Sequence, residues 1–227
     1  MPGAVPRALF LRHHDEDDPG LVGDALVRRG YALDVRRVDD GAGAVDLDGV
    51  DVLAILGAKW SVYEDAQVGE WLHVELDAIA DADRRGAAEL GICFGAQALC
   101  VATGGVVERA PRPELGWVPL EGNPTAGIPP GPWFQFHEDR CLPHDGAVVL
   151  DRNDVGVQAF RVGRHLGVQF HPELEHRQLA RWFEAGADDA VRAAGLEPKA
   201  LLEETVALEA DAAARVDALV EGFLASV

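Results

Sequence analysis

The chain has 227 residues, 48% hydrophobic and 26% charged, with 20 Lys and Arg against 39 Asp and Glu. The resulting net charge of −19 repels phosphate backbones and anionic lipid, which sets nucleic-acid and membrane-surface partners aside. It favours solubility and names no ligand. A chain of this length buries roughly 70% of the surface its unfolded form exposes, so it needs no staples. The three cysteines, Cys93, Cys100 and Cys141, are odd in number and lack the close C-x-x-C pairing of a disulfide framework or zinc site. MPGAVPRALF has none of the features of a signal peptide, and no apolar run approaches the ~20 residues of a membrane span. The expected setting is soluble, reducing and cytoplasmic.

In chain order, Ala8 to Arg12 is a short apolar strand followed by the acidic run His13 to Asp18. Leu21 to Arg29 has helical spacing and stops at Gly30; Tyr31 to Val38 alternates as a strand does. Asp51 to Leu56 is a buried apolar run ending in Gly57. Val68 to Arg85 places Trp71, Leu72, Leu76, Ile79 and Ala80 on one helical face and closes at Gly86. Ala88 to Ile92 is another strand, and Ala96 to Ala102 a helix that Gly104 and Gly105 end. This alternation predicts an α/β fold: a mostly parallel open sheet with helices on both faces.

From Val106 to Phe170 short β-like runs alternate with Pro- and Gly-rich turns, which predicts a small antiparallel extension without helices. Residues 174–227 read as a helical C-terminal extension. There Leu201, Thr205, Leu208, Ala212, Val216, Leu219 and Phe223 form one stripe, expected to pack on the chain's own sheet. No linker interrupts the chain, so residues 1–227 are expected to form one domain.

The informative segment is Gly91-Ile92-Cys93-Phe94-Gly95. A strand ends in a nucleophile-type residue between two glycines, and a helix starts at once. This is the logic of a nucleophile elbow: the turn has no room for side chains beside the nucleophile, which projects above the sheet's C-terminal edge, where open α/β sheets bind ligands. A helix N-terminus under the sulfur favours the thiolate. Cys100, in the following helix, reads as a small buried hydrophobe. A second segment, Gly167-Val168-Gln169-Phe170-His171-Pro172-Glu173, ends an apolar strand in a histidine with a carboxylate two residues on. In extended chain, residues i and i+2 point the same way, so Glu173 can orient the His171 ring.

GICFGAQ together with GVQFHPE resembles the class I, or triad, glutamine amidotransferases. Leu56 to Asp65 is similar to their oxyanion-strand loop. Leu115-Gly116-Trp117 and Phe136-His137-Glu138-Asp139 resemble segments of the glutaminase domain of GMP synthetases. The resemblance runs from about Leu9 to Glu173 and implies a flavodoxin-like sheet. It further implies a Cys93–His171–Glu173 triad that cleaves the γ-carboxamide of glutamine through a thioester, with oxyanion donors in the backbone N–H groups of Ala58 and Phe94. Gly57, Gln97, Phe136, His137 and Glu138 are then the substrate-side residues. Several positions depart from the family pattern. Ala58 replaces the loop's second glycine and Lys59 the following proline. Phe136 and Glu138 replace the Ser and Gly of a Ser-His-Gly-Asp segment, and an acidic Glu138 there suits an amine or peptide extension.

The run His13 to Asp18 has a metal-like composition, but contiguous loop residues seldom converge on an ion, and it reads as a solvated acidic loop. His137-Glu138-Asp139 reads as a substrate-side loop rather than a metal pair, and no metal site is expected. Glu114 fits either a site residue or an exposed loop carboxylate. No phosphate-binding glycine fingerprint is present, so no nucleotide or other cofactor is expected.

In 227 residues no synthetase module is expected after the glutaminase. Two enzyme outcomes therefore stay open: ammonia passes to a separate synthetase subunit, or the chain alone hydrolyses γ-glutamyl amides. A non-catalytic regulatory or scaffold role on the same fold is the third reading. The oligomeric state is open as well.

Overall fold

The computed structural model describes residues 5–38 and 43–227; the first residues of the stretch read for a signal peptide lie outside them. Strands β1 (Arg7–Arg12), β2 (Ala32–Arg37), β3 (Val52–Ile55) and β4 (Ala88–Ile92) alternate with helices α1 (Gly20–Arg28) and α2 (Asp65–Arg85). Helix α3 (Phe94–Ala102) follows β4 directly. Then come β5 (Val106–Val118), β6 (Trp133–Leu142), β7 (Val148–Arg152), β8 (Val157–Val162) and β9 (His165–Val168). The chain ends in α4 (His176–Glu184), α5 (Asp188–Ala193) and α6 (Pro198–Leu224).

Among the described residues nine strands join one sheet in the order β2-β1-β3-β4-β9-β8-β6-β5, with β7 on β8. The five strands β2, β1, β3, β4 and β9 are parallel neighbours, and β5 to β8 pair antiparallel. The alternation of strand side chains builds two cores. Ala8 and Phe10 of β1, with Val52 and Ala54 of β3, face the α1 and α6 side. Leu9, Leu11, Leu53 and Ile55 face α2 and α3.

Three expectations need correction. The turn-rich pattern places His165 to Phe170 in the antiparallel extension. Its strand β9 instead pairs parallel with β4, in the register Leu90↔Leu166, Gly91↔Gly167 and Ile92↔Val168. All four β9 residues are buried, which suits the middle of a sheet covered on both faces. The stretch read as helix-free holds one 3-10 turn, Pro124–Ala126. The C-terminal helical region is also three helices, broken at Gly186 (φ 100°) and Gly195 (φ 77°), both in the left-handed region that favours glycine. In α6 the expected stripe is buried except for the half-buried Leu208; Ala212, Val216, Leu219 and Phe223 join the core beneath the sheet, and Leu201 packs with Phe134, Leu174, Leu179 and Val191. Among the described residues no helix is long and apolar enough to cross a membrane.

The glycines around Cys93 are required by space. A Cβ on Gly95 would lie 2.1 Å from the Ile55 carbonyl oxygen, and one on Gly91 would lie 2.6 Å from the backbone of Gly95. Gly95→Ala should therefore cost about 3 kcal/mol, the upper range of overpacking. Gly30→Ala, at φ 87° with open space around it, should cost only about 1–2 kcal/mol of backbone strain. Urea unfolding of both variants checks that order.

Candidate active site

Cys93 sits between β4 and α3 with φ 52° and ψ −103°, the one non-glycine among the described residues with positive φ. A strained position of this kind needs its surroundings to hold it. Here the Cys93 N–H donates to the Val168 carbonyl at 2.8 Å, tying the elbow to the end of β9. Cys93 is 5% exposed. It receives a long contact from the Gln169 side-chain N–H, 3.6 Å away.

Two residues beyond Gln169, His171 is fixed through its own N–H to the Phe134 carbonyl at 2.8 Å. Its Nδ1 donates to Glu173 Oε1 at 2.8 Å, and both side chains are buried. The Nε2 atom is buried and has no hydrogen-bond partner. Burial alone would push the His171 pKa down; the neighbouring charges of Glu173 and Cys93 overcome it and hold it well above the ordinary imidazole value. Trp182 of α4 packs edge-on against the ring, with centroids 5.2 Å apart. The structure thus brings Cys93, His171 and Glu173 together.

The loop after β3 forms the facing wall. Gly57 lies so close that a Cβ there would stand 2.9 Å from His171 Cε1 and 3.7 Å from the Cys93 Cβ. Its lack of a side chain is a matter of space, since its φ is not positive. The φ of Ala58 is not positive either, so alanine fits where the family pattern has glycine. Further along, Ser61 and Tyr63 donate their hydroxyls to Asp139, Tyr63 at 2.6 Å, which fastens the loop to β6.

These residues open on a cavity of about 800 Å³ lined by Gly57, Ala58, Gln97, Phe136, His137 and Glu138 among others. Gln97 is 3% exposed and its Oε1 is unpaired. Phe136 stacks on Trp182 at 6.0 Å. Phe136 to Asp139, expected on a loop, lie instead on strand β6. Glu138 is exposed at the rim with Arg109 2.5 Å away, so its charge already has a partner. His137 is buried; its Nδ1 donates to the Asp139 carbonyl at 2.8 Å, and its Nε2 lies 3.2 Å from Glu114. Glu114 is a buried strand residue, not an exposed loop carboxylate, and accepts from Asn153 and Gln158 at 2.7 Å. Burial would raise its pKa, and the hydrogen bonds from His137, Asn153 and Gln158 hold it below the ordinary value instead.

The largest correction concerns the acidic run after β1. His13 is 0% exposed and Asp17 6%. His13 Nδ1 donates to the Gly57 carbonyl, and its Nε2 meets Glu75 Oε1 of α2, each at 2.8 Å. Asp17 accepts from Trp182 Nε1 and from the His14 N–H, each at 3.2 Å. Arg181 pairs with Asp18 at 3.0 Å. Helix α4 therefore covers the loop and turns its inner residues toward the site. The available signal was Glu75: it stands among Trp71, Leu72 and Ile79 on the apolar face of α2, where a carboxylate must have a buried partner. Gln169, another residue not singled out from the sequence, lay inside GVQFHPE.

Residues 21–187 match the family model for class-I glutamine amidotransferase, and the chain belongs to that family. It is 35% identical to a subunit of the glutamine-hydrolyzing GMP synthase of Ignicoccus hospitalis, over 39% of this chain and 52% of the relative. The chain thus spans about half the length of that relative. With the HisH subunit of imidazole glycerol phosphate synthase from Moorella thermoacetica it shares 31% identity, over 68% of this chain and 81% of the relative. A glutamine amidotransferase from Thermotoga maritima superposes with a TM-score of 0.87 at 25% identity, covering 98% of this chain and 99% of the other. The sheet with flanking helices expected from the sequence is the fold of this family.

Asp17 carries a consequence for stability. Burial first, and then the nearby Glu173, raise its pKa to about 6, against lowering by His13 and His171. Its folded pKa lies above the unfolded value, so its contribution is fully present below pH ~4 and is lost as pH rises through about 6. The span corresponds to at most ~3 kcal/mol. Asp17→Asn should remove this dependence: the stability of wild type relative to the variant should fall between pH ~4 and ~6.5, as read by urea unfolding at each pH.

Proposed function

We propose that the chain is a glutaminase-type cysteine amidohydrolase acting through Cys93, His171 and Glu173. The observation that carries this reading is the His171 ring, tied by Nδ1 to Glu173 while its buried Nε2 stays unpaired beside the Cys93 elbow. The Cys93 sulfur attacks the γ-carboxamide carbon of glutamine, and the carbonyl π pair moves onto oxygen. The backbone N–H groups of Ala58 and Phe94 stabilise that oxyanion. His171 delivers a proton to the leaving nitrogen, the C–N bond breaks, and ammonia departs from a thioester. Water, losing a proton to His171, then cleaves the thioester to glutamate and the free thiol. Glu173 holds the imidazole in its orientation throughout. Gln97, with its unpaired Oε1, and His137 bind the amino-acid end of the substrate, and Phe136 with Trp182 forms the apolar wall.

Residues 1–227 form one such domain, working without a cofactor in the cytoplasm. Its ammonia passes to a separate synthetase subunit. The relatives support this, since one is a subunit of a GMP synthase and another the HisH subunit of imidazole glycerol phosphate synthase. A specific observation favours a second reading, hydrolysis of larger γ-glutamyl amides by the chain alone. The cavity of about 800 Å³ lies in the upper part of the range for small-molecule sites.

Glutamate release from glutamine and from γ-glutamyl dipeptides separates the two. Faster turnover of glutamine supports the amidotransferase subunit; faster turnover of the dipeptides supports the stand-alone hydrolase. Cys93→Ala should abolish release while leaving the unfolding midpoint near wild type, and Glu173→Gln should retain measurable turnover, because it orients rather than reacts. Full activity in Cys93→Ala would refute the assignment.

A further inference from the structure

We infer that His13, held by Glu75, is a positioning residue that fixes the Gly57–Ala58 peptide, so that the oxyanion site is formed before substrate binds. The inference rests on the glutaminase reading of Cys93. In a trans peptide the C=O and the following N–H point in opposite directions. His13 Nδ1 holds the Gly57 carbonyl at 2.8 Å, so the Ala58 N–H must point away from His13. Gly57 itself borders Cys93 and His171, and the Ala58 N–H makes no hydrogen bond among the described residues. It is a donor left for an incoming oxygen. Rotating this peptide would swing the carbonyl off His13 and leave a buried N–H unpaired, which is costly where no water can replace the bond.

The anchor is built to resist that rotation. A carbonyl oxygen only accepts, so His13 Nδ1 carries a proton, and Nε2 shares one with Glu75 Oε1 at 2.8 Å. Both side chains are 0% exposed. The ring packs against Trp71 at 4.8 Å and against Phe94 at 5.0 Å. Phe94 carries the second proposed oxyanion donor. One imidazole therefore touches both halves of the site without touching substrate, and three elements (β1, α2 and α3) meet at it.

Two variants test the role. His13→Leu keeps bulk and removes the donor; His13→Asn retains an amide N–H that can reach the Gly57 carbonyl. Each is measured for kcat and KM in glutamate release. Each is also measured for the rate at which iodoacetamide alkylates Cys93, followed by mass spectrometry. Alkylation displaces iodide without forming an oxyanion, so it reads the thiol alone. His13→Leu should lose ~10²-fold in kcat, the scale of one missing oxyanion donor, with KM and alkylation near wild type. His13→Asn should recover most of that loss. A parallel fall in alkylation, or an Asn variant no better than Leu, would overturn the inference. If His13→Leu does not fold, His13→Asn decides: near-wild-type kcat supports the role, and a ~10²-fold loss with normal alkylation refutes it. Wild-type protein that alkylates at Cys93 yet releases no glutamate from either substrate class would end the glutaminase reading instead. Crystal structures of wild type and a folded His13 variant would then settle the anchor: in His13→Leu a rotated Gly57–Ala58 peptide supports it and an unmoved one overturns it, while in His13→Asn a retained bond to the Gly57 carbonyl supports it and a lost bond with the peptide unmoved overturns it.

Discussion

The parallel pairing of β4 with β9 is the constraint on which the site depends. Because Ile92 lies opposite Val168 and the strands run the same way, the residues after both strands emerge at one edge of the sheet. Cys93 and His171 are far apart in sequence, and this register alone makes them neighbours. An antiparallel β9 would send His171 to the opposite edge. The bond from the Cys93 N–H to the Val168 carbonyl extends the pairing one residue into the elbow. It ties the strained backbone of Cys93 to the strand that delivers the histidine. Gly167 serves the same junction: a Cβ there would run into the Phe160 ring at 2.5 Å.

Around that junction the fold buries more charge than a hydrophobic core tolerates without pairing. Glu173 meets His171, Glu75 meets His13, and Glu114 meets His137 together with Asn153 and Gln158. Each carboxylate is buried against an imidazole. Such pairs are weak sources of stability, because desolvation offsets their attraction, but removing one partner leaves a buried charge exposed to the full penalty. Glu89 of β4 shows the alternative. Both its oxygens are buried and unpaired, and burial, reinforced by Glu75, raises its pKa well above the carboxylate range. Burial thus favours the protonated form of Glu89, while Glu75 has His13 as its partner.

Much of this was readable in the sequence, and the exceptions share a cause. The apolar runs of β1, β3 and β4 and the stripe of α2 follow hydrophobic periodicity, which reports burial in an apolar core. Strand β6 escaped it because Gln135, His137 and Asp139 alternate along one face, buried among polar partners and the cavity. A strand that lines a site does not read as apolar. Strand β5 carries Pro111 and Pro113 within a register shift between Arg109 and Glu114, tolerable because it is the last strand of the sheet order. The elbow was legible because its two glycines answer a local steric demand. His13 and Asp17 were not, because their burial is imposed by elements that follow later in the chain: α2 and α3 for His13, and α4 for Asp17.

Two histidines beside the Cys93 elbow, His171 and His13, divide the demands of the proposed chemistry. Proton transfer needs a ring whose outward nitrogen is free, and His171 meets this with one nitrogen on Glu173 and the other unpaired. Oxyanion stabilisation needs dipoles that do not reorganise as charge develops, which favours a ring committed on both sides, as His13 is to Gly57 and Glu75. The same imidazole–carboxylate pair thus serves opposite ends according to what its second nitrogen faces. Gly57 belongs to both arrangements, since its carbonyl takes the His13 proton and its bare Cα makes room for the His171 ring. A side chain there would crowd the His171 ring beside Cys93. The first loop position therefore takes glycine for want of space, while Ala58 at the second fits without a positive φ.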